Sequence, residues 1–140
     1  MNRLSHFSHQ GREYPVTFVE TSSVKEGVQC DVYRVDNDTS KDLAVIEIQP
    51  GFLSPRQRIV RGTSTIQRFI SGQAHLSVTD VLGKERKLLF KSENANQNSD
   101  VAVQVGEIMQ WSSIGPEPLV YHEICEPPYE EGRFENLLSK

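Results

Sequence analysis

The chain has 140 residues, with 15 Lys and Arg against 19 Asp and Glu, and a net charge of −4. This length suits a single domain with its own hydrophobic core. The basic residues are interspersed with acidic ones and form no continuous stripe, which argues against nucleic acid as a partner. The first ten residues contain no continuous apolar run, and no later run approaches membrane length. We therefore expect a cytoplasmic protein without a membrane partner.

Ten short apolar or alternating segments recur about every 8 to 15 residues, separated by turn-forming residues, a spacing typical of an all-β sandwich or closed barrel. The predicted strands are Tyr14–Glu20, Val28–Val35, Leu43–Gln49, Arg58–Arg61, Thr65–Ser71, His75–Asp80, Arg86–Lys91, Asp100–Val105, Glu107–Ser112 and Leu119–Cys125. Cys30 and Cys125 lie inside two of these segments, far apart in sequence. This position is typical of buried, reduced thiols.

The two ends of the chain differ from this pattern. Residues 1–13 show no strand pattern and are predicted to form a mobile N-terminal arm, followed by one domain over residues 14–140. Near the other end, Phe134, Leu137 and Leu138 follow the i, i+3, i+4 spacing of a helix face, which predicts a short helix or turn. The polar segment 92–99 is predicted to be an exposed loop between two strands.

The segment from Gly51 to Gly72 resembles the first conserved motif of the cupin superfamily. Gly51 stands at the opening turn, and residues 66–72, IQRFISG, match the strand and turn that close the motif. Gly106 and Glu107 resemble the start of the second motif, and residues 119–129, LVYHEICEPPY, resemble the last strand and exit of sugar-phosphate-isomerase-like cupins. The resemblance covers about residues 43–129. It implies a double-stranded β-helix, or jelly-roll barrel, that is often a homodimer with an interior ligand pocket.

The same alignment implies that the usual metal site is absent. Metal-binding cupins place two His and one Glu from the first motif around a divalent ion, whereas Gln57, Ile59 and Thr65 stand at those positions here. Ile has no donor atom, and a neutral amide or hydroxyl is a poor substitute for imidazole or carboxylate. The segment after Gly106 is also too short for the second motif and its His ligand. We therefore expect neither a metal nor another cofactor.

Two residues of the last strand are candidates for proton transfer. Val120, His122 and Ile124 share one face because side chains alternate along a strand, and the expectation is that His122 points into the barrel. There it would be either a core histidine or a general base, with Tyr121 as a second acid or base.

Candidate ligand-binding residues come from the family positions and from charge. Gln57, Thr65 and Gln67 occupy inward positions in the family and could hydrogen-bond a polar ligand. Arg56 and Arg58, with Arg61 and Arg68 nearby, form either a solvated rim or a grip for phosphate or carboxylate groups. Trp111 either lines a pocket or belongs to an ordinary core.

These residues support three hypotheses. The first is a metal-independent cupin that binds a sugar, a sugar phosphate or an organic acid, with isomerase- or epimerase-like chemistry if it is an enzyme. The second is a non-catalytic, dimeric interaction or regulatory module with a degenerate pocket. The third is a metal-dependent cupin with non-standard ligands. Fold alone does not decide between them, because one fold hosts many functions.

Overall fold

Nearly all regular structure in this computed structural model is β-strand; the model describes residues 3–62, 64–92, 100–128 and 134–137. The strands are β1 (His6–His9), β2 (Arg12–Lys25), β3 (Val28–Val35), β4 (Asp42–Ile48), β5 (Arg56–Ile59), β6 (Ser64–Ser71), β7 (Gln73–Thr79), β8 (Glu85–Lys91), β9 (Asp100–Gln104), β10 (Ile108–Ser113), β11 (Leu119–Glu126) and β12 (Phe134–Leu137). All ten predicted strands are confirmed, with shifts of a few residues at their ends. Within the described residues no helix is long and apolar enough to cross a membrane.

The strands form two antiparallel sheets. One has seven strands in the order β1-β2-β3-β4-β11-β6-β9, and the other has five in the order β12-β5-β10-β7-β8. Neighbours that are distant in sequence, such as β4 beside β11, show that the chain crosses between the sheets repeatedly. This connectivity explains why hairpin-like sequence signals alone do not give the strand order.

The inner faces of the two sheets pack together into the main core. The seven-stranded sheet contributes Ile48, Phe69 and Leu119, and the five-stranded sheet contributes Leu76 and other alternate residues of its strands. These four side chains are fully buried. We call this side of each sheet the inner face. Inner-face residues recur at every second position, as the pleat of a strand requires.

The outer face of the seven-stranded sheet carries a second core, which corrects the prediction of a mobile arm. Part of the predicted arm forms β1 and the start of β2, a hairpin in which Phe7 pairs with Tyr14. Both rings are buried and stacked at 5.4 Å between centroids, against Tyr33, Leu43 and other outer-face residues. The sequence pattern misses this strand because four residues with one large apolar side chain give no measurable alternation.

The C-terminal prediction of a short helix or turn is also wrong over the described residues. Phe134–Leu137 forms strand β12, paired antiparallel with β5, and Leu138 lies outside the described residues. Two apolar residues three apart fit a helix face, but they fit a short edge strand equally well. Pairing with the free edge of β5 satisfies backbone groups that an isolated helical turn would leave open to water.

A β-bulge divides the long strand β2 into two parts with different roles. Phe18 pairs with Tyr33, and the next pair is Glu20 with Val32, so that Val19 has no cross-strand partner. An extra residue reverses the alternation of side chains. Phe18 therefore packs on the outer core, whereas Glu20 turns to the inner side of the sheet.

Candidate functional site

A cavity of about 460 Å³ lies on the inner side of the seven-stranded sheet. It lies among β2, β3, β4 and β11, with residues of β5 and β12 on the other side. Its polar lining residues are Glu20, Ser22, Cys30, Asp42, Gln57, Tyr121, Glu123 and Cys125. The apolar lining includes Ala44, Ile46 and Phe134. A volume of this size falls within the range of small-molecule sites.

A buried hydrogen-bond chain connects this cavity to the core. Trp111 Nε1 donates to Gln67 Oε1 at 3.0 Å, and Gln67 Nε2 donates to Glu123 Oε2 at 2.9 Å. Gln67 is fully buried, Trp111 is 1% exposed and Glu123 is 8% exposed. The chain fixes the orientation of the Gln67 amide and holds one oxygen of Glu123 in place. Gln67 was predicted to contact the ligand directly, but it does not line the cavity and instead supports a residue that does.

Trp111 belongs to the main core and not to the cavity wall. Its ring stacks on Tyr121 with 4.5 Å between centroids, and it also contacts Phe90. Tyr121, which alternation places on the face opposite His122, lines the cavity in place of that histidine. Burial, and then the negative charge of Glu123, raise the pKa of Tyr121 well above its usual value. The phenol is therefore protonated at neutral pH and can donate a hydrogen bond.

The two cysteines are free thiols, as predicted from their positions in apolar segments. Cys125 is buried and Cys30 is half-buried. Both residues line the cavity. Burial raises the pKa of Cys30 to about 12, with smaller contributions from Glu123 and other carboxylates nearby. The thiolate is the nucleophilic form of cysteine, so Cys30 is not suited to nucleophilic chemistry at neutral pH.

His122 lies on the outer face of β11, with Val120 and Ile124, and not in the barrel interior as expected. The sequence correctly groups the three residues on one face. It assigns the wrong face because both sides of this strand are covered, so the apolar pattern does not distinguish interior from exterior. Burial, and then the charge of Arg68, lower the pKa of His122 to about 4. His122 therefore takes no part in the cavity.

The predicted arginines also lie away from the cavity. Arg56 and Arg58 alternate on β5 with Gln57 and Ile59, which face inward. Arg58 Nη1 is 3.0 Å from Glu135 Oε1 of the neighbouring strand β12. Gln57 lines the cavity as predicted, and its Nε2 donates to Asn136 Oδ1 at 3.0 Å. Arg56 and Arg58 thus lie on the side of β5 that faces away from the cavity, whereas Arg68 is on β6 and pairs with Asp100.

The residues at the family's metal-ligand positions do not fit a metal. Gln57 lines the cavity, Ile59 is fully buried in the core, and Thr65 is fully buried on the inner face of β6. Thr65 Oγ1 has no hydrogen-bond partner among the described residues, and Ile59 has no donor atom at all. No group of three or more His, Cys, Asp or Glu in the described parts of the chain is placed to hold an ion. This donor set does not match the standard cupin centre.

Sequence reasoning missed the carboxylates that dominate the polar lining, Glu20, Asp42 and Glu123. Glu123 could have been found, because it alternates with Tyr121 on the last strand and a Glu between apolar residues of a buried strand is unusual. Glu20 could not, since its inward orientation depends on the bulge at Val19. Among the described lining residues there is no Lys or Arg.

Comparison with known proteins shows which solved structures share this architecture. No protein-family model and no curated protein matches the sequence. Among solved structures, a Lactobacillus farciminis oxalate decarboxylase in complex with formate superposes with a TM-score of 0.69 at 18% identity, over 84% of this chain and 33% of that chain. The Staphylococcus aureus capsular polysaccharide assembling protein CapF superposes with a TM-score of 0.70 at 12% identity, over 90% of this chain and 35% of that chain.

A Bacillus subtilis oxalate decarboxylase gives a TM-score of 0.66 at 21% identity, over 81% of this chain and 29% of that chain. The chain thus spans about a third of the length of these solved chains. Oxalate decarboxylase and CapF are both members of the cupin superfamily. At these identities the likeness shows the fold. The protein has the jelly-roll fold of the cupin superfamily, as the residues around Gly51, Gly72 and Gly106 predicted.

Proposed function

We propose that this protein binds a small polar molecule in the cavity between its sheets, by hydrogen bonds and without a metal ion. The observation that carries the proposal is a cavity of about 460 Å³ whose wall combines apolar residues with carboxylate, phenol, amide and thiol groups. Ligand sites typically have this composition, in which apolar surface supplies contact and a few polar groups supply orientation. Absence of a metal is supported by Ile59 and Thr65, which replace ligands of the standard centre.

Of the three ligand classes considered, a neutral sugar fits the lining best. Glu20, Asp42 and Glu123 are among the lining residues, and their carboxylate oxygens are acceptors, whereas sugar hydroxyls can donate. A carboxylate has about four lone-pair sites, so Glu123 can accept from a ligand while it accepts from Gln67. A phosphate or a dicarboxylate would instead bring negative charge against these carboxylates, with no Arg or Lys among the described lining residues.

The cavity groups suit binding better than nucleophilic catalysis. Tyr121 and Cys30 are both protonated at neutral pH, for the reasons given above. His122, the predicted base, faces the other side of the sheet. If the protein catalyses proton transfer, Glu123 is the group within the cavity that is held in a fixed orientation and able to accept a proton. The predicted homodimer stays a prediction.

A thermal-shift screen tests the binding proposal directly. The probes are neutral hexoses and pentoses, the corresponding sugar phosphates, and dicarboxylates. We expect a neutral sugar to raise the melting temperature, because a ligand at a hundred times its Kd stabilises the native state by about 2.7 kcal/mol, or roughly 10 °C for a chain of this size. A response confined to sugar phosphates or dicarboxylates would contradict the ligand class, and no response to any class would favour the interaction module.

A further inference from the structure

Two histidines, one buried and one half-buried, lie near the contact between the N-terminal hairpin and the outer face of the seven-stranded sheet. His9 is on β1 and is 4% exposed, and His122 is half-buried on the outer face of β11. Arg68 lies between them: it is directly opposite His122 in the β6–β11 register, and its Nη1 donates to the carbonyl of Ser8 at 2.6 Å. Arg68 therefore connects the hairpin strand that carries His9 to the sheet strand that carries His122.

The imidazoles lack the partners that would support a positive charge. Neither ring nitrogen of His9, nor Nδ1 of His122, has a hydrogen-bond partner among the described residues. For a neutral imidazole, burial without hydrogen-bond partners has a moderate free-energy cost. An imidazolium loses more hydration energy on burial, and both of its N–H groups need an acceptor. Protonation at this contact is therefore opposed by burial itself.

The charged groups near the two rings include some that favour protonation of the histidines and some that oppose it. His9 is near Arg68 of β6 and Lys41, which disfavour its protonation, and near Glu126 of β11 and Asp100 of β9, which favour it. His9 Nε2 is 3.9 Å from Glu126 Oε1.

His122 is affected by Arg68, which disfavours protonation, and by Asp100, which favours it. Asp100 already holds the Arg68 guanidinium through contacts of 2.6 and 2.9 Å, which weakens its pull on either ring. Burial is the largest effect on both histidines, Arg68 is the second, and the pKa of each is lowered.

We propose that the hairpin is an acid-sensitive cover: it is docked while His9 and His122 are neutral, and their protonation releases β1 and the start of β2 from the outer face. Release would expose Phe7 and Tyr14 together with the outer-face residues beneath them, including Leu43 and Ile124. The main core between the sheets contains neither histidine and would stay folded.

The direction of the pH effect follows from the lowered pKa values. Once the hairpin is released, His9 is exposed and His122 on β11 is uncovered, and we expect the pKa of each to return toward the ordinary value near 6.5. The released state then binds protons that the docked state does not. Docking is therefore fully favourable above about pH 6.5 and weakens as the pH falls toward the docked pKa values. For His122 alone, pKa values of 6.5 released and about 4 docked give an approximately thirtyfold weaker docking equilibrium at pH 5.

Amide hydrogen exchange at pH 7.5 and pH 5.0, corrected for intrinsic exchange rates, tests the proposal. We expect protection of the β1–β2 amides, such as that of Val16, which donates to the Ser5 carbonyl at 3.0 Å, to fall at least tenfold at pH 5.0. Protection of the paired strands β7 and β10 in the main core is expected to be unchanged. Equal loss in both regions, or no loss in the hairpin, would overturn the proposal.

Variants of single histidines show which of them causes the loss of hairpin protection at pH 5.0. His6 is on the same strand but its side chain is 63% exposed, so His6→Gln is expected to leave the pH response intact. His9→Gln and the double variant with His122→Gln are expected to reduce or abolish it. If the double variant does not fold, the proposal is tested with His9→Gln alone. This variant is expected to fold because His9 is on an edge strand of the sheet. A full response in His9→Gln, together with an ordinary His122 titration followed by NMR, would contradict the proposal.

Discussion

Replacing Gly72 with alanine is expected to lower the free energy of unfolding by about 4 kcal/mol. Gly72 joins β6 to β7 with a φ of +97°, a region that L-residues with a side chain rarely adopt. A Cβ atom there would lie 2.6 Å from the Pro118 carbonyl oxygen and 2.9 Å from Leu119 Cα. Both atoms belong to backbone at the start of β11, so the clash is relieved only by moving a strand that lines the cavity.

Gly51→Ala is the matched control for this prediction. Gly51 also has a positive φ, +85°, but a Cβ atom there meets nothing within 4 Å. The backbone strain is then the main cost, about 1–2 kcal/mol. Chemical unfolding in urea measures both variants. Equal losses in the two variants would show that β11 does not approach Gly72 as closely as the structure has it.

Replacing Gln67 with leucine is expected to cost about 3 kcal/mol. The substitution removes two buried hydrogen bonds at once, since Gln67 accepts from Trp111 and donates to Glu123. Leucine nearly matches the volume of glutamine, so packing changes little and the loss reflects polar groups that must find new partners. The indole N–H and the carboxylate oxygen are both deep in the molecule, where an unpaired group is costly.

Gln57→Leu provides the comparison for Gln67. Gln57 is also on the inner side of a strand, but its hydrogen bond to Asn136 is exposed to solvent, so we expect a loss below about 1 kcal/mol. The fluorescence emission of Trp111, the single tryptophan of the chain, is a second measurement for Gln67→Leu. It is expected to change because the indole loses its hydrogen bond to Gln67. If Gln67→Leu were as mild as Gln57→Leu, the buried chain from Trp111 to Glu123 would not stabilise the barrel.

The barrel could be predicted from sequence because alternation and turn residues are local signals. The segments Val28–Val35 and Leu119–Cys125 carry strong alternation and are strands in the structure. Glycines at the family positions, Gly51 and Gly72, indicate turns that require a positive φ, and both have one. The two terminal strands were missed because neither has enough apolar residues to show a period, and both depend on pairing with a strand formed elsewhere.

The candidate site was less predictable, because it depends on which face of each strand is turned inward. Gln57 was placed correctly through its family position. Strand alternation puts Tyr121 on the face opposite His122, so the inward assignment of His122 misplaced Tyr121 as well. His122 was assigned to the wrong face, since an outer core hidden from the sequence pattern covers the other side of β11. Glu20 enters the cavity only because one extra residue at Val19 reverses the alternation of β2. A bulge of this kind cannot be recognised from the amino-acid composition of the strand.

The central claim is that the interior cavity holds a small polar molecule, and a fluorescence titration of Trp111 tests it most directly. Trp111 stacks on Tyr121 of the cavity wall, so occupancy should change its emission. The probe is the neutral sugar with the largest thermal shift. We expect a saturable change in the wild type and in Ala102→Leu, an exposed control, but none in Ala44→Leu, which narrows the cavity. An unchanged titration in folded Ala44→Leu would contradict the claim.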